Sequence, residues 1–126
     1  MGSGSWGTAF AQIVADSERN HVVTLWGRNQ ESIDEINAHH TNSRFHPGFT
    51  LSERIIGTTD AQLALTNADV VVLAVPAQTL RANLKSWGSS VPKSAIVVSL
   101  LKGFERGTHA RMSEVISQEL NLDESQ

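Results

Sequence analysis

The run "DVVVLAVP" at residues 69–76 constrains the fold more than any other stretch of this chain. From Val70 onwards it is continuously apolar, rich in β-branched residues and closed by a proline, a pattern that is typical of a buried β-strand. A strand that is apolar on both faces favours a parallel sheet, because helical connections cover both sides of such a sheet. The run therefore predicts an α/β protein.

Strands and helices are predicted to alternate along the rest of the chain. Further strands are predicted at 21–28, at Ile55 and Ile56, and at 94–103, where "SAIVVSLLKG" is expected to be another buried strand. Helical spacing of apolar residues predicts helices at 8–16, 29–40, 60–68, 77–87 and 108–120, and a Pro-Gly turn places 41–54 in a loop. This order predicts a doubly wound, mostly parallel sheet with helices on both faces.

Composition narrows the class of protein. A chain of 126 residues that is 40% hydrophobic and 18% charged suits one globular domain, and its net charge of −3 offers no basic surface for nucleic acid. The absence of cysteine excludes disulfides and thiolate metal sites, so the cytoplasm is the expected compartment. The five histidines lack metal-ligand spacing, and no apolar run has the length of a membrane span.

Three glycines precede the first predicted helix, and "GSGSWG" fits the spacing G-x-G-x-x-G of a dinucleotide-binding loop. In that motif Gly2 would make a tight turn, Gly4 would let the backbone approach a pyrophosphate, and Gly7 would let the helix pack closely on the sheet. The spacing alone is a weak signal, since loops rich in glycine and serine also occur as plain turns. The helix and strand that follow strengthen it, and together they predict a Rossmann-type domain over 1–126.

This motif also requires a strand before Gly2, where the sequence has only Met1. We expect that strand to lie upstream, with Met1 at its end. A sheet that lacks this central strand is the alternative.

Three residues lie at the carboxyl ends of predicted strands, on the side where such sheets bind ligands. Arg28 lies about 20 residues after the glycines, where a carboxylate would bind a ribose 2′-hydroxyl; a guanidinium suits the 2′-phosphate of NADP instead. The alternative is an exposed arginine at a strand end. Pro76 would form a wall for the nicotinamide or would simply end its strand. Lys102 would either contact a phosphate or face solvent in a turn, and its residue type and position alone favour the second interpretation.

Five segments, taken in order, resemble the N-terminal domain of bacterial NAD(P)-dependent sn-glycerol-3-phosphate dehydrogenases. They are "MGSGSWGTAFA", "VTLWGR", "RFHPGF", "ADVVVLAVPAQTLRANL" and "SLLKGFERGT". The G-x-G-x-W-G-T-A and K-G-x-E segments are the specific parts of the resemblance. It implies reversible reduction of dihydroxyacetone phosphate to sn-glycerol 3-phosphate by NAD(H) or NADP(H), for phospholipid synthesis.

The resemblance also implies roles for individual residues. Ser5 and Trp6 are expected to contact the cofactor, and Arg28 is expected to lie at its adenosine end. Phe45 occupies a position that is often tyrosine, so a polar contact there would be lost whereas stacking would remain. Lys102 matches a lysine that is expected to contact both the cofactor and the substrate phosphate, which reverses the interpretation drawn from the residue alone.

The resemblance further implies a larger helical C-terminal domain that carries the general acid/base lysine, which nothing in this sequence matches. The closing "NLDESQ" is expected to belong to a connecting segment, so the chain is expected to bind cofactor without catalysing and to hold no catalytic residue. The expected partner is a small phosphate substrate, and the full-length enzyme could form a homodimer. The alternatives are the cofactor domain of a ketopantoate reductase or 3-hydroxyacid dehydrogenase, which the W-G-T-A and K-G-x-E segments disfavour, and a non-catalytic dinucleotide-sensing module.

Overall fold

The computed structural model describes residues 1–19 and 21–122, so residues 123–126 of the predicted connecting segment lie outside the described residues. Helices and strands alternate along it. The helices are α1 (Ser5–Ala15), α2 (Gln30–His39), α3 (Ala61–Leu65), α4 (Leu80–Trp87) and α5 (Met112–Leu120). The strands are β1 (Val23–Trp26), β2 (Ile55–Thr58), β3 (Val70–Leu73) and β4 (Ile96–Ser99). Each predicted helix and strand is therefore confirmed in type and order.

The boundaries differ from the predictions in two informative places. Helix α1 begins at Ser5 instead of Thr8, because the extended Gly4 forms its N-cap and the second half of the glycine motif is already helical. Strand β4 is shorter than 94–103, and the prediction that it is buried is wrong, since Ile96 is 58% exposed. Ile96 pairs with Val70 at the first position of both strands, where the ladder ends and both side chains are exposed.

The contacts divide the chain into two compact units, Met1–Ala64 and Leu65–Gln126. In the first unit β1 and β2 pair in parallel, from Val23 opposite Ile55 to Trp26 opposite Thr58. Helices α1 and α2 contact these strands, and their apolar faces contribute to a buried cluster of Ala11, Ala15, Leu25, Ile33, Ile36, Leu51 and Ile55. Because the strands are parallel, both carboxyl ends lie at one edge of the pair, where the glycine loop begins.

The second unit also contains a pair of parallel strands. Strands β3 and β4 pair in parallel, from Val70 opposite Ile96 to Leu73 opposite Ser99. Helices α4 and α5 contact each other and contribute buried side chains, among them Leu80, Leu84, Met112, Val115 and Ile116. The segments that carry Pro76 and Lys102 therefore leave neighbouring strands at the same edge of this pair. No helix within residues 1–19 and 21–122 is long and apolar enough to cross a membrane.

Candidate cofactor-binding site

Residues 2–4 form a loop beside the carboxyl end of β1 and lead into α1, whose first turn contains residues 5–7. The N–H group of Gly2 donates to the Trp26 carbonyl at 2.9 Å, and Gly2 turns the chain with a φ of 117°, a value that glycine tolerates best. A Cβ atom built on Gly4 meets nothing within 4 Å, so this side of the backbone is open. Gly7 is buried in the first turn of α1. These conformations suit the turn, the close approach and the helix packing that the motif requires.

The N-terminus of α1 has the electrostatic character of an anion site. Gly4 has no side chain to cap the helix, and the N–H of Thr8 donates to the Gly4 carbonyl at 2.9 Å. The N–H groups of Ser5, Trp6 and Gly7 therefore have no partner within the helix. Together with the helix dipole they create partial positive charge, and phosphate oxygens accept hydrogen bonds from such groups.

Two tryptophans in this unit have opposite environments. Trp6 lies in the first turn of α1 and is 60% exposed, so its ring is available to a ligand. Trp26 is buried at the end of β1 and donates from Nε1 to the Thr59 carbonyl at 3.0 Å. The buried ring is therefore part of the core and is not available to a ligand.

Arg28 follows the end of β1 beside the glycine loop. The preceding Gly27 has no room for a side chain, because a Cβ atom there would lie 2.0 Å from the Ser3 hydroxyl. Arg28 is exposed and has no hydrogen bond or ion pair to another residue of the described segments. Its guanidinium can therefore bind a phosphate or stack on a base without first breaking a contact.

The loop after α2 contacts the start of α1. His46 Nε2 lies 2.8 Å from the Ser5 carbonyl, to which it donates, so the "RFHPGF" segment is attached to the first turn of that helix. Phe45 precedes this histidine, and its ring is 38% exposed beneath the Arg44 guanidinium, 5.5 Å from the ring centroid. The structure thus brings the loop that carries Phe45 to the end of α1 that carries Ser5 and Trp6.

Asn42 attaches the same loop to the glycine motif. Its buried side chain donates from Nδ2 to the Ser3 carbonyl at 3.1 Å and to the Thr8 hydroxyl at 2.9 Å. Neither Asn42 nor His46 is predicted as a site residue from the sequence, since 41–54 lacks periodicity and their partners lie about 40 residues away in the sequence. The sequence offers only one indication of their role, which is that both are polar residues with strong hydrogen-bonding groups shortly before the Pro-Gly turn.

In the second unit, Pro76 and Lys102 occupy turns beyond the strands. The Pro76 carbonyl accepts from the Thr79 N–H at 2.9 Å and from its hydroxyl at 2.8 Å, which starts the helical turn before α4. Pro76 lies three residues beyond the end of β3 at Leu73, so it begins this helical turn and does not itself end the strand; its role in cofactor binding stays a prediction. Lys102 is exposed and precedes Gly103, whose φ of 93° allows a sharp turn there.

An ion-pair network holds the segment that follows Lys102. Arg81 on α4 donates to the Glu105 carboxylate from Nε at 2.7 Å and from Nη2 at 2.8 Å, and also pairs with Glu119 on α5. Thr108 donates to the same Glu105 carboxylate at 2.6 Å. These contacts lower the pKa of Glu105 to about 2. The glutamate of the K-G-x-E segment therefore fixes this turn to α4.

Gln78 provides a second attachment for this turn. Its Nε2 donates to the Phe104 carbonyl at 2.9 Å, and its Oε1 accepts from the Arg106 N–H at 3.0 Å. The amide thus binds the backbone on both sides of Glu105. The sequence patterns predict no role for Gln78, Arg81 or Glu105, although all three lie in the segments that carry the family resemblance.

Comparison with known proteins agrees with this geometry. The family model for the N-terminus of NAD-dependent glycerol-3-phosphate dehydrogenase matches residues 1–125. A glycerol-3-phosphate dehydrogenase (NAD(P)+) of Thermobifida fusca is 52% identical over 122 residues, which are 97% of this chain and 36% of the relative. The enzyme of the same name from Corynebacterium glutamicum strain R is 46% identical over 125 residues, which are 99% of this chain and 37% of the relative.

Solved structures give the same result. A glycerol-3-phosphate dehydrogenase of Saccharomyces cerevisiae matches with a TM-score of 0.86 and 28% identity, over 96% of this chain and 38% of that one. One from Coxiella burnetii matches with a TM-score of 0.84 and 25% identity, over 94% and 36%. The predicted α/β, Rossmann-type fold class is confirmed, and the chain spans little more than a third of the curated relatives' length. The chain belongs to the NAD-dependent glycerol-3-phosphate dehydrogenase family and corresponds to its N-terminal region.

Proposed function

We propose that this chain is the cofactor-binding domain of an NAD(P)-dependent sn-glycerol-3-phosphate dehydrogenase. The observation that carries the proposal is the uncapped N-terminus of α1, reached by a loop whose Gly4 leaves the backbone open. When bound, the nicotinamide cofactor would supply the hydride that is transferred to the carbonyl carbon of dihydroxyacetone phosphate. The chain's own residues would bind and orient that cofactor.

Each part of the site in the first unit has a proposed task. The N–H groups of the first turn of α1 would donate to the pyrophosphate, beside the open face of Gly4. The exposed rings of Trp6 and Phe45 would offer apolar faces for stacking. Arg28 would bind at the adenosine end and favour NADP(H) over NAD(H), because a guanidinium forms two parallel hydrogen bonds with a phosphate.

In the second unit, Lys102 is proposed to donate to the cofactor and to the phosphate of the substrate, and Pro76 to contact the cofactor. The attachment of the 102–106 turn through Glu105 and Gln78 supports the role of Lys102, since a fixed backbone limits the positions that a long lysine side chain can take.

The rest of the proposal concerns the complete enzyme. Residues 1–126 would form one dinucleotide-binding domain, with a strand before Gly2 and a helical substrate domain after it. The hydrogen bond from Gly2 to Trp26 supports the strand, because it lies where a neighbouring strand would pair with β1. Action in the cytoplasm, a role in phospholipid synthesis and a homodimer remain predictions from the family resemblance.

A serine at Gly4 tests this function directly. Gly4 has φ −72° and ψ −179° and space for a Cβ atom, and serine is a favoured N-cap residue, so Gly4→Ser should fold with an unchanged or higher Tm. Its hydroxyl would accept from the N–H groups proposed to bind pyrophosphate, and its Cβ would obstruct the approach. We expect the Kd for NADPH, measured by calorimetric titration, to rise by at least about tenfold.

The control introduces the same residue at another helix start. Arg111 is the N-cap of α5, so Arg111→Ser changes an N-cap without touching the glycine loop, and NADPH affinity should stay at the wild-type value. Failure of the wild-type chain to bind either NADPH or NADH, or equal affinity of wild type and Gly4→Ser, would overturn the proposed function.

A further inference from the structure

Asn42 makes an unusual set of contacts beneath the glycine loop. The residue is fully buried, and its Nδ2 donates to the Ser3 carbonyl and to the Thr8 hydroxyl. The Thr8 hydroxyl in turn donates to the same Ser3 carbonyl at 3.2 Å. Ser3 thus accepts two side-chain hydrogen bonds, from residues 5 and 39 positions away in the sequence.

Ser3 is the point at which the glycine loop would otherwise be least constrained. It lies between Gly2 and Gly4, and glycine allows more backbone conformations than any other residue. The Ser3 hydroxyl lies over Gly27, where any Cβ atom would collide with it. Packing against Gly27 therefore restrains Ser3 on its side chain, and the two hydrogen bonds restrain its carbonyl.

The backbone of Asn42 holds a second part of the candidate site. Its carbonyl accepts from the N–H of Phe45 at 3.0 Å and from the N–H of His46 at 2.8 Å, so it begins the turn that presents the Phe45 ring. One residue therefore joins the glycine loop, through its side chain, to the Phe45 turn, through its main chain. The neighbouring Thr41 has a different partner, since its hydroxyl donates to Glu35 on α2 at 2.8 Å.

The energetics of this asparagine do not suit a residue that only fills space. Its Oδ1 is buried and has no hydrogen-bond partner in the described segments. A buried oxygen without a partner is costly, and an apolar side chain of similar size would avoid that cost. The donors of Asn42 provide what an apolar residue could not, which is the restraint on Ser3.

We propose that Asn42 is a positioning residue that holds the glycine loop and the Phe45 turn together in the arrangement that receives the cofactor pyrophosphate. The inference rests on the proposed cofactor site. Asn42 itself does not contact the cofactor; it acts through the Ser3 carbonyl and the start of the Phe45 turn.

The test replaces the donors while keeping the number and branching of the side-chain heavy atoms. Asn42→Leu removes both Nδ2 hydrogen bonds and the unpartnered oxygen, so its Tm should stay close to the wild-type value. We expect lower ¹⁵N order parameters for residues 3–5 in the unliganded chain and a Kd for NADPH that is about tenfold higher. Thr8→Val removes the other donor to Ser3 and should act in the same direction, which keeps the test decisive if one variant folds poorly.

Thr41→Val is the matched control, because it removes a hydrogen bond of the same loop that does not reach Ser3. It should leave the order parameters of residues 3–5 and the NADPH affinity unchanged. If Asn42→Leu and Thr8→Val leave the loop as ordered as in the wild type, the inference is wrong. A loop that loosens in both variants, in a chain that binds no NADPH, would support the positioning of Ser3 and refute the proposed function instead.

Discussion

Arg28 follows the end of β1, and its side chain is exposed. It has no hydrogen bond or ion pair to any other residue of segments 1–19 and 21–122. A carboxylate at this place would accept from a ribose 2′-hydroxyl and would repel a 2′-phosphate. A guanidinium cannot accept from the 2′-hydroxyl, but it attracts a 2′-phosphate and offers a flat surface on which adenine can stack. These properties are the basis of the proposed preference for NADP(H).

Replacing this arginine should separate the two cofactors. In Arg28→Ala the charge-assisted hydrogen bonds to the 2′-phosphate are lost, so we expect the Kd for NADPH to rise about tenfold or more. The Kd for NADH should rise much less, since only stacking is lost. Calorimetric titration with both cofactors measures the difference. Arg19→Ala, another exposed arginine of the same unit, should change neither Kd. Equal losses for NADPH and NADH would contradict the 2′-phosphate role.

How far the sequence predicts the site depends on the residue. Gly2, Gly4 and Gly7 can be found from their spacing, because the turn, the open approach and the close packing each exclude larger side chains. Asn42 and His46 cannot be found in this way. Their hydrogen bonds reach Ser3 and Ser5 across about 40 residues of chain, and only the fold shows which residues such donors meet.

At the level of elements, the order was predictable and the lengths were not. Apolar runs such as 69–76 continue beyond the residues that pair, whereas β3 ends where its ladder with β4 ends, at Leu73. Helix α1 differs from its prediction in the opposite direction, because it is longer than predicted and begins at Ser5 in the glycine-rich segment. Hydrophobic patterns report burial, and the ends of strands and helices depend on hydrogen bonds that those patterns do not encode.

The stability of the turn that carries Lys102 should depend on pH, because Glu105 attaches this turn to α4. Arg81, together with the Thr108 hydroxyl, lowers the pKa of this carboxyl to about 2 from an ordinary value of 4.5. A lowered pKa in the folded state means that the carboxylate stabilises the fold above about pH 4.5 and that this contribution is lost as pH falls towards 2. We therefore expect Tm to fall over this range, and Glu105→Gln to have a lower Tm at pH 7 and a smaller fall in acid.

Differential scanning calorimetry of both proteins at pH 7 and pH 3 measures this effect. The lowered pKa values of Glu35 and Glu114 act in the same direction, so the variant should retain part of the pH dependence. Glu53→Gln is the control, because Glu53 is exposed and has no ion pair in the described segments. An identical pH dependence in wild type and Glu105→Gln would show that this ion pair does not stabilise the turn.

For the whole molecule, what matters is how cofactor binding relates to catalysis. The chain corresponds to 36% and 37% of two family members that it resembles at 52% and 46% identity. Both of its units have parallel strands joined through helices, which is an arrangement that binds a dinucleotide at strand ends. Reduction of a ketone also needs a group that delivers a proton to the carbonyl oxygen and a pocket that orients the substrate.

The chain alone should therefore bind NADPH and leave dihydroxyacetone phosphate unchanged. With the substrate present, we expect NADPH absorbance to fall at the same rate with and without the protein. In the same buffer, calorimetry should show that the chain binds NADPH. Joining this chain to the remaining part of the Thermobifida fusca enzyme should restore NADPH-dependent reduction, because that part would supply the proton donor and the substrate pocket. Turnover by the isolated chain would show that its own residues suffice for catalysis. A folded, NADPH-binding chimera without activity would show instead that the bound cofactor is not held in a reactive position.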